Sequence, residues 1–168
     1  MKRNLAVIAG VAALAAVALV AAGLAGASKS ASATVGTRQS NFGRILVDSR
    51  GRSLYLFQKD KRGMSSCYGA CTTNWPPLIA SGKPRAGSGV KASLLGRTKR
   101  TDGRWQVTYN RHPLYTFYGD ASKGQTNGEG LDFFGGKWYL VSPAGAKIQN
   151  AAASGSGYPS SGGYGGGY

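Results

Sequence analysis

Gly43–Asp60, GRILVDSRGRSLYLFQKD, lies over Gly103–Asp120, GRWQVTYNRHPLYTFYGD, without a gap when the chain is offset by sixty residues against itself. Seven positions coincide: Gly43/Gly103, Arg44/Arg104, Val47/Val107, Leu54/Leu114, Tyr55/Tyr115, Phe57/Phe117 and Asp60/Asp120. The second half of each copy reduces to Tyr-x-Phe-x-x-Asp. A repeat of this size is one supersecondary unit that cannot bury its own apolar face and must pack on its copy. Two copies therefore predict one pseudo-symmetric domain.

Each copy reads as a hairpin. Ile45 and Val47 alternate with Arg44, Leu46 and Asp48, Ser49-Arg50-Gly51-Arg52 supplies turn chemistry, and Leu54 to Phe57 opens a second run of β-favouring residues. The second copy repeats this with Trp105, Val107 and Tyr109, a turn at Asn110-Arg111-His112-Pro113, and a return from Leu114 to Tyr118. Pro113 suits the start of a strand rather than its centre. A third run follows each hairpin, Trp75–Ala80 in the first copy and Lys137–Ser142 in the second. Between the copies, Ser81–Lys99 is basic and rich in Gly and Ser, and reads as a connector with at most one helical turn. The pattern predicts an all-β domain over residues 34–150. Two pseudo-symmetric small antiparallel meanders, about 43–80 and about 103–142, form a sandwich or a partly closed barrel.

Tyr and Phe at i and i+2 point to the same side of an extended chain. If that side faces the other copy, Tyr55, Phe57, Tyr115 and Phe117 make the middle of a shared aromatic core, and Asp60 and Asp120 cap turns at the strand ends by accepting backbone N–H groups. The alternative is that the aromatic residues line a ligand pocket. The paired motifs, Cys67-Tyr68-Gly69-Ala70-Cys71 running into Asn74-Trp75-Pro76-Pro77-Leu78, and Gly135-Gly136-Lys137-Trp138-Tyr139-Leu140 resemble a bacterial family of secreted repeat proteins of unknown function, predicted lipoproteins with a Tyr-x-(Phe/Trp/Tyr)-x-x-Asp motif. The resemblance covers roughly residues 40–148 and implies location and architecture rather than a reaction.

Residues 1–33 read as a signal peptide or an N-terminal anchor. Lys2 and Arg3 precede an apolar run of 20 residues, Leu5–Leu24, followed by small residues with Ala31-Ser32-Ala33 or Ala25-Gly26-Ala27 as cleavage sites. Nine of the 20 are Ala, which favours cleavage over retention as a membrane helix. Relatives are often lipidated on a cysteine after Leu-Ala-Gly; here Leu24-Ala25-Gly26 runs into Ala27, so no lipid is expected there. The expected location is extracellular or in the cell envelope. Residues 151–168 are Gly, Ser and Ala punctuated by Tyr, a composition that predicts a disordered tail.

Net charge is +15, and loss of Lys2 and Arg3 leaves +13. The cations are spread along the chain. Outside a cell, such a field attracts anionic cell-wall or matrix polymers without sequence-specific recognition of nucleic acid. A membrane contact is expected only through an uncleaved N-terminal helix, and the oligomeric state is left open.

Cys67 and Cys71 are the only cysteines. In an exported protein the pair suggests a disulfide, contributing about 2 kcal/mol for so short a loop. The alternative is an extracytoplasmic copper or redox accessory protein in which Cys67, Cys71, Met64 and His112 hold a soft ion. Redox-active pairs usually have Cys-x-x-Cys spacing, which is absent. Asp120, Asn127, Glu129 and Asp132 could gather round calcium, but Leu131 stands where an EF-hand needs its bidentate Glu. Neither a nucleophile elbow nor a metalloprotease helix nor a phosphate loop is present, so no enzyme, catalytic residue or cofactor is expected.

Overall fold

A computed structural model describes residues 32–61 and 63–149. The expected export segment, apart from Ser32 and Ala33, and the expected tail lie outside the described residues. β1 (Thr34–Ser40) and β2 (Gly43–Asp48) form an antiparallel hairpin with Arg38 opposite Ile45 and Ser40 opposite Gly43. β3 (Tyr55–Phe57) follows, then a short helix α1 (Ala70–Asn74) and β4 (Arg85–Ala86). The second half contains β5 (Leu95–Lys99), β6 (Trp105–Tyr109), β7 (His112–Pro113), β8 (Asp132–Phe133) and β9 (Gly136–Leu140). Three sheets result, ordered β2-β1-β4, β3-β9-β8 and β5-β6-β7. The class is all-β, as the hairpin pattern predicts, and the sheets pack as a sandwich without closing into a barrel.

The meanders are not self-contained, which departs from the simplest reading of the repeat. The third run of each copy completes the hairpin of the other. Val107 donates to Leu78 O at 2.8 Å and Leu78 to Leu114 O at 2.9 Å, so the run after the first hairpin lies on the second. Reciprocally, Leu46 donates to Val141 O at 2.8 Å, Val141 to Leu54 O at 3.2 Å, and β9 pairs with β3. At the centre, Tyr55 and Tyr115 exchange backbone bonds of 2.9 and 3.0 Å, which places a pseudo-twofold axis between them. The connector is also more ordered than its composition suggests. Arg85–Ala86 adds to β1 in parallel, and Leu95–Lys99 is a strand of the second copy.

Alternation along the strands feeds two cores. Ile45, Val47, Tyr55, Phe57, Tyr115, Trp138 and Leu140 enter one, while Leu46, Leu54, Leu56, Leu114 and Val141 enter the other. Each central strand is thus apolar on both faces, as a strand covered on both sides must be. Among the described residues no helix is long and apolar enough to cross a membrane.

Candidate functional site

The repeat motif builds a crossed pair of tyrosine–aspartate bonds. Tyr55, fully buried, donates its hydroxyl to Asp120 Oδ2 at 2.7 Å and accepts Gly128 N–H at 3.3 Å. Tyr115, also fully buried, donates to Asp60 Oδ2 at 2.8 Å and lies 2.8 Å from Ser65 Oγ. The other carboxylate oxygens serve turns: Asp60 Oδ1 accepts Ser66 N–H and Ser66 Oγ–H, each at 2.8 Å, and Asp120 Oδ1 accepts Asn127 N–H at 2.9 Å. Burial, reinforced by the facing carboxylate, pushes both phenols well above their usual range. Burial likewise raises Asp60 and Asp120, against the pull of their hydrogen bonds. Each phenol therefore keeps its proton at neutral pH and donates it in a hydrogen bond to the aspartate.

Around this clasp the aromatic rings repeat the symmetry. The Trp75 and Trp138 indoles stack with centroids 3.9 Å and planes 2° apart. Trp75 meets the edge of its own copy's Tyr55 at 5.4 Å and the face of the other copy's Phe117 at 4.4 Å. Trp138 meets Tyr115 at 5.1 Å, edge to face, and stacks on Phe57 at 4.1 Å. Gly128 is required beside this stack, since a Cβ there would come within 2.8 Å of the Trp75 ring. The indole nitrogens differ: Trp138 Nε1 donates to Phe133 O at 3.2 Å, whereas Trp75 Nε1 is buried without a partner.

Symmetry breaks at Arg100. It is 3% exposed, and its guanidinium donates to Cys67 O at 2.7 Å, Gln106 Oε1 at 2.7 Å and Ser65 Oγ at 2.8 Å, with Asp102 Oδ2 at 3.1 Å and the Tyr68 ring beneath it at 4.3 Å. Gln106 occupies the place that apolar Ile45 holds in the first copy, opposite Thr98 as Ile45 is opposite Arg38. Sequence reasoning counted Arg100 among scattered surface cations. Its one sequence signal is its place beside Asp102-Gly103-Arg104, where Asp102 bonds both arginines.

Cys67 and Cys71 are buried and joined in a disulfide with Cα atoms 5.3 Å apart, pinning the turn that Arg100 holds. In this state neither sulfur is a thiolate. Met64 is 60% exposed, and His112, half-buried on β7, lines a 380 Å³ cleft with Leu56, Phe57, Asp60 and Lys147. Among the described residues no group of three or more His, Cys, Asp or Glu converges as ion ligands. In the loop considered for calcium, Asp120 serves Tyr55, Glu129 accepts Leu140 N–H, and Asp132 faces Lys137 at 3.9 Å.

Charge is sorted by the same bonds. All six acids of the chain are described, and each is engaged by the domain itself. Asp48 accepts Arg50 and Arg52 N–H and pairs with the Arg52 guanidinium at 2.7 Å, Asp102 pairs with Arg100 and Arg104, and the other four are bonded as above. Ion pairs among the described residues use Arg52, Arg100, Arg104 and Lys137. Arg38, Arg44, Lys61, Lys83, Arg85, Lys91, Lys99, Arg111, Lys123 and Lys147 are exposed outside those pairs.

The fold is a disulfide-pinned β domain of two interlocked copies, in which four of the six acids are buried or half-buried and Asp102 and Asp132 are exposed. Two segments, residues 36–79 and 96–142, match the family described as a secreted repeat of unknown function. The matches cover more than half of the chain, which belongs to that family. They begin within β1 and β5, so the repeat unit includes the strand before each glycine turn. No curated protein and no solved structure matches the chain.

Proposed function

We propose that this is a non-catalytic domain of the cell envelope that binds anionic wall or matrix polymers through its unpaired cations. The observation that carries the reading is the fate of the carboxylates: each of the six has a partner within the domain and only Asp102 and Asp132 are exposed, so cations dominate the outer field. With Ala27 in place of a lipidated cysteine, the protein is released by signal cleavage or held by an uncleaved N-terminal helix, and in either case its charge draws it to anionic material of the envelope. The crossed motif is the scaffold on which the cations are displayed. Binding of the exported protein to an anionic wall polymer should weaken steeply between low and physiological salt, because exposed charges act over a Debye length of about 10 Å at 0.1 M. Affinity indifferent to salt would overturn the electrostatic mechanism.

A further inference from the structure

β8 and β9 meet in a two-residue turn. Phe133 is opposite Gly136, and the turn residues Phe134 and Gly135 both lie in the left-handed region, with φ of 58° and 76°. This is the type I′ geometry that Asn-Gly or Asp-Gly adopts at little cost. A phenylalanine there is strained by its Cβ. Its ring does not repay the strain by entering either core: it is 39% exposed beside Phe133, itself 44% exposed, with the two centroids 5.6 Å apart.

The tip is held firmly from beneath. Trp138 Nε1 donates to Phe133 O at 3.2 Å, and the Lys59 stem lies so close to Gly136 that a Cβ there would come within 2.8 Å of its Cγ. The Lys59 ammonium donates to Phe134 O at 3.3 Å, and exposed Lys137 stands at the foot of the hairpin. Two apolar rings are thus presented on a hairpin flanked by two ammonium groups, with exposed Asp132, 3.9 Å from Lys137, as the single carboxylate beside them. A backbone outlier with an exposed apolar side chain calls for a medium that rewards it.

We propose that the Phe133-Phe134 hairpin docks on an anionic lipid bilayer, its rings entering the boundary between headgroups and acyl chains while Lys59 and Lys137 meet the phosphates. Charge complementarity selects an anionic surface, and the rings select an apolar interior over a hydrated polymer, which offers them no burial. This surface is separate from the polymer reading, which uses charge alone.

The test is co-sedimentation of the exported protein with mixed phosphatidylglycerol–phosphatidylcholine vesicles, with phosphatidylcholine vesicles as background. The native protein should partition to the mixed vesicles, and Phe134→Asn should lower that partition about tenfold, the effect of losing about half of a buried Phe side chain. Because Asn is favoured at this turn position, the thermal midpoint of Phe134→Asn should hold or rise, so lost binding cannot be lost folding. Phe133→Ser should weaken partition in the same direction, and both variants should bind anionic polymer as the native protein does. Vesicle binding by both variants equal to native, or no native partition above background, would overturn the proposal and leave the polymer reading untouched.

Discussion

Tyr55 donates its hydroxyl to Asp120, 65 positions away and in the other copy, rather than to the aspartate of its own motif. The mirror bond joins Tyr115 to Asp60. Tyr-x-Phe-x-x-Asp is therefore half of a clasp that closes across the pseudo-twofold axis, and its duplication follows from the reciprocity. A single motif would leave a buried carboxylate or phenol unpaired, which costs more than the bond itself contributes.

Tyr55→Phe and Tyr115→Phe should each destabilise the domain by about 1.5–3 kcal/mol, the range for a hydrogen bond to a charged group. Urea denaturation measures this as a lower midpoint at unchanged slope. Unchanged midpoints in both variants would mean that the hydroxyls are not what the carboxylates depend on.

Exchange of the third strands makes the copies inseparable. Polypeptides covering 32–80 and 95–149 should each lack a cooperative thermal transition and should regain one when mixed. Trp75→Ala and Trp138→Ala should each cost about 3–5 kcal/mol, since each removes one face of the central stack. A cooperative transition in either half alone would contradict the interlocked arrangement.

Burial raises Asp60, Asp120 and Glu129 above their ordinary values of 3.8 and 4.5. Between those values and the raised ones the folded state binds more protons than the unfolded state, so stability grows as pH falls through this window and is lost as pH rises through the folded values. Asp102, held below the usual range by its hydrogen bond to Arg104, against desolvation and with the further help of Arg100, acts in the opposite sense, but on an exposed and screened site. The thermal midpoint should hold or rise from pH 7 to pH 5, as calorimetry would show. A steep fall over that range would contradict the raised values.

The Cys67–Cys71 bridge predicts that protein recovered from its export compartment has an intact mass two hydrogens below the reduced form and carries no adduct. Cys67→Ser with Cys71→Ser should lower stability by about 2 kcal/mol. Recovery of the reduced protein with one copper ion would instead make the pair ligands.

Much of the fold was legible because period-two alternation and turn residues are local signals. The hairpins Ile45–Phe57 and Trp105–Phe117 and the shared side of Tyr55 and Phe57 needed nothing else. Strand exchange was not legible, because either third run satisfies the pattern of either hairpin. β4 and β5 were hidden by Gly, Ser and Arg, whose pairing is decided by tertiary context. The gapless overlay also conceals a register change. It equates Val47 with Val107, yet Leu54 donates to Leu46 O and Leu114 to Val107 O, so Leu46 is the true counterpart. The first copy turns through Ser49-Arg50-Gly51, and the second through the tighter Asn110-Arg111, at φ 47° and 63°. The longer turn between β5 and β6 compensates, so the sequence offset is restored by Leu54/Leu114. Burial of Arg100 was not legible because, besides nearby Asp102 and Gln106, its partners are backbone and side-chain atoms of Ser65–Tyr68, more than thirty positions away.

The most direct test of the division between scaffold and surface is salt-titrated binding of Asp120→Asn to an anionic wall polymer, read beside its thermal midpoint. A clasp with a separate cationic surface predicts a lowered midpoint, with affinity and salt slope at least equal to native at temperatures where the variant is folded. An unchanged midpoint with lost binding would contradict this account and make the motif a ligand site.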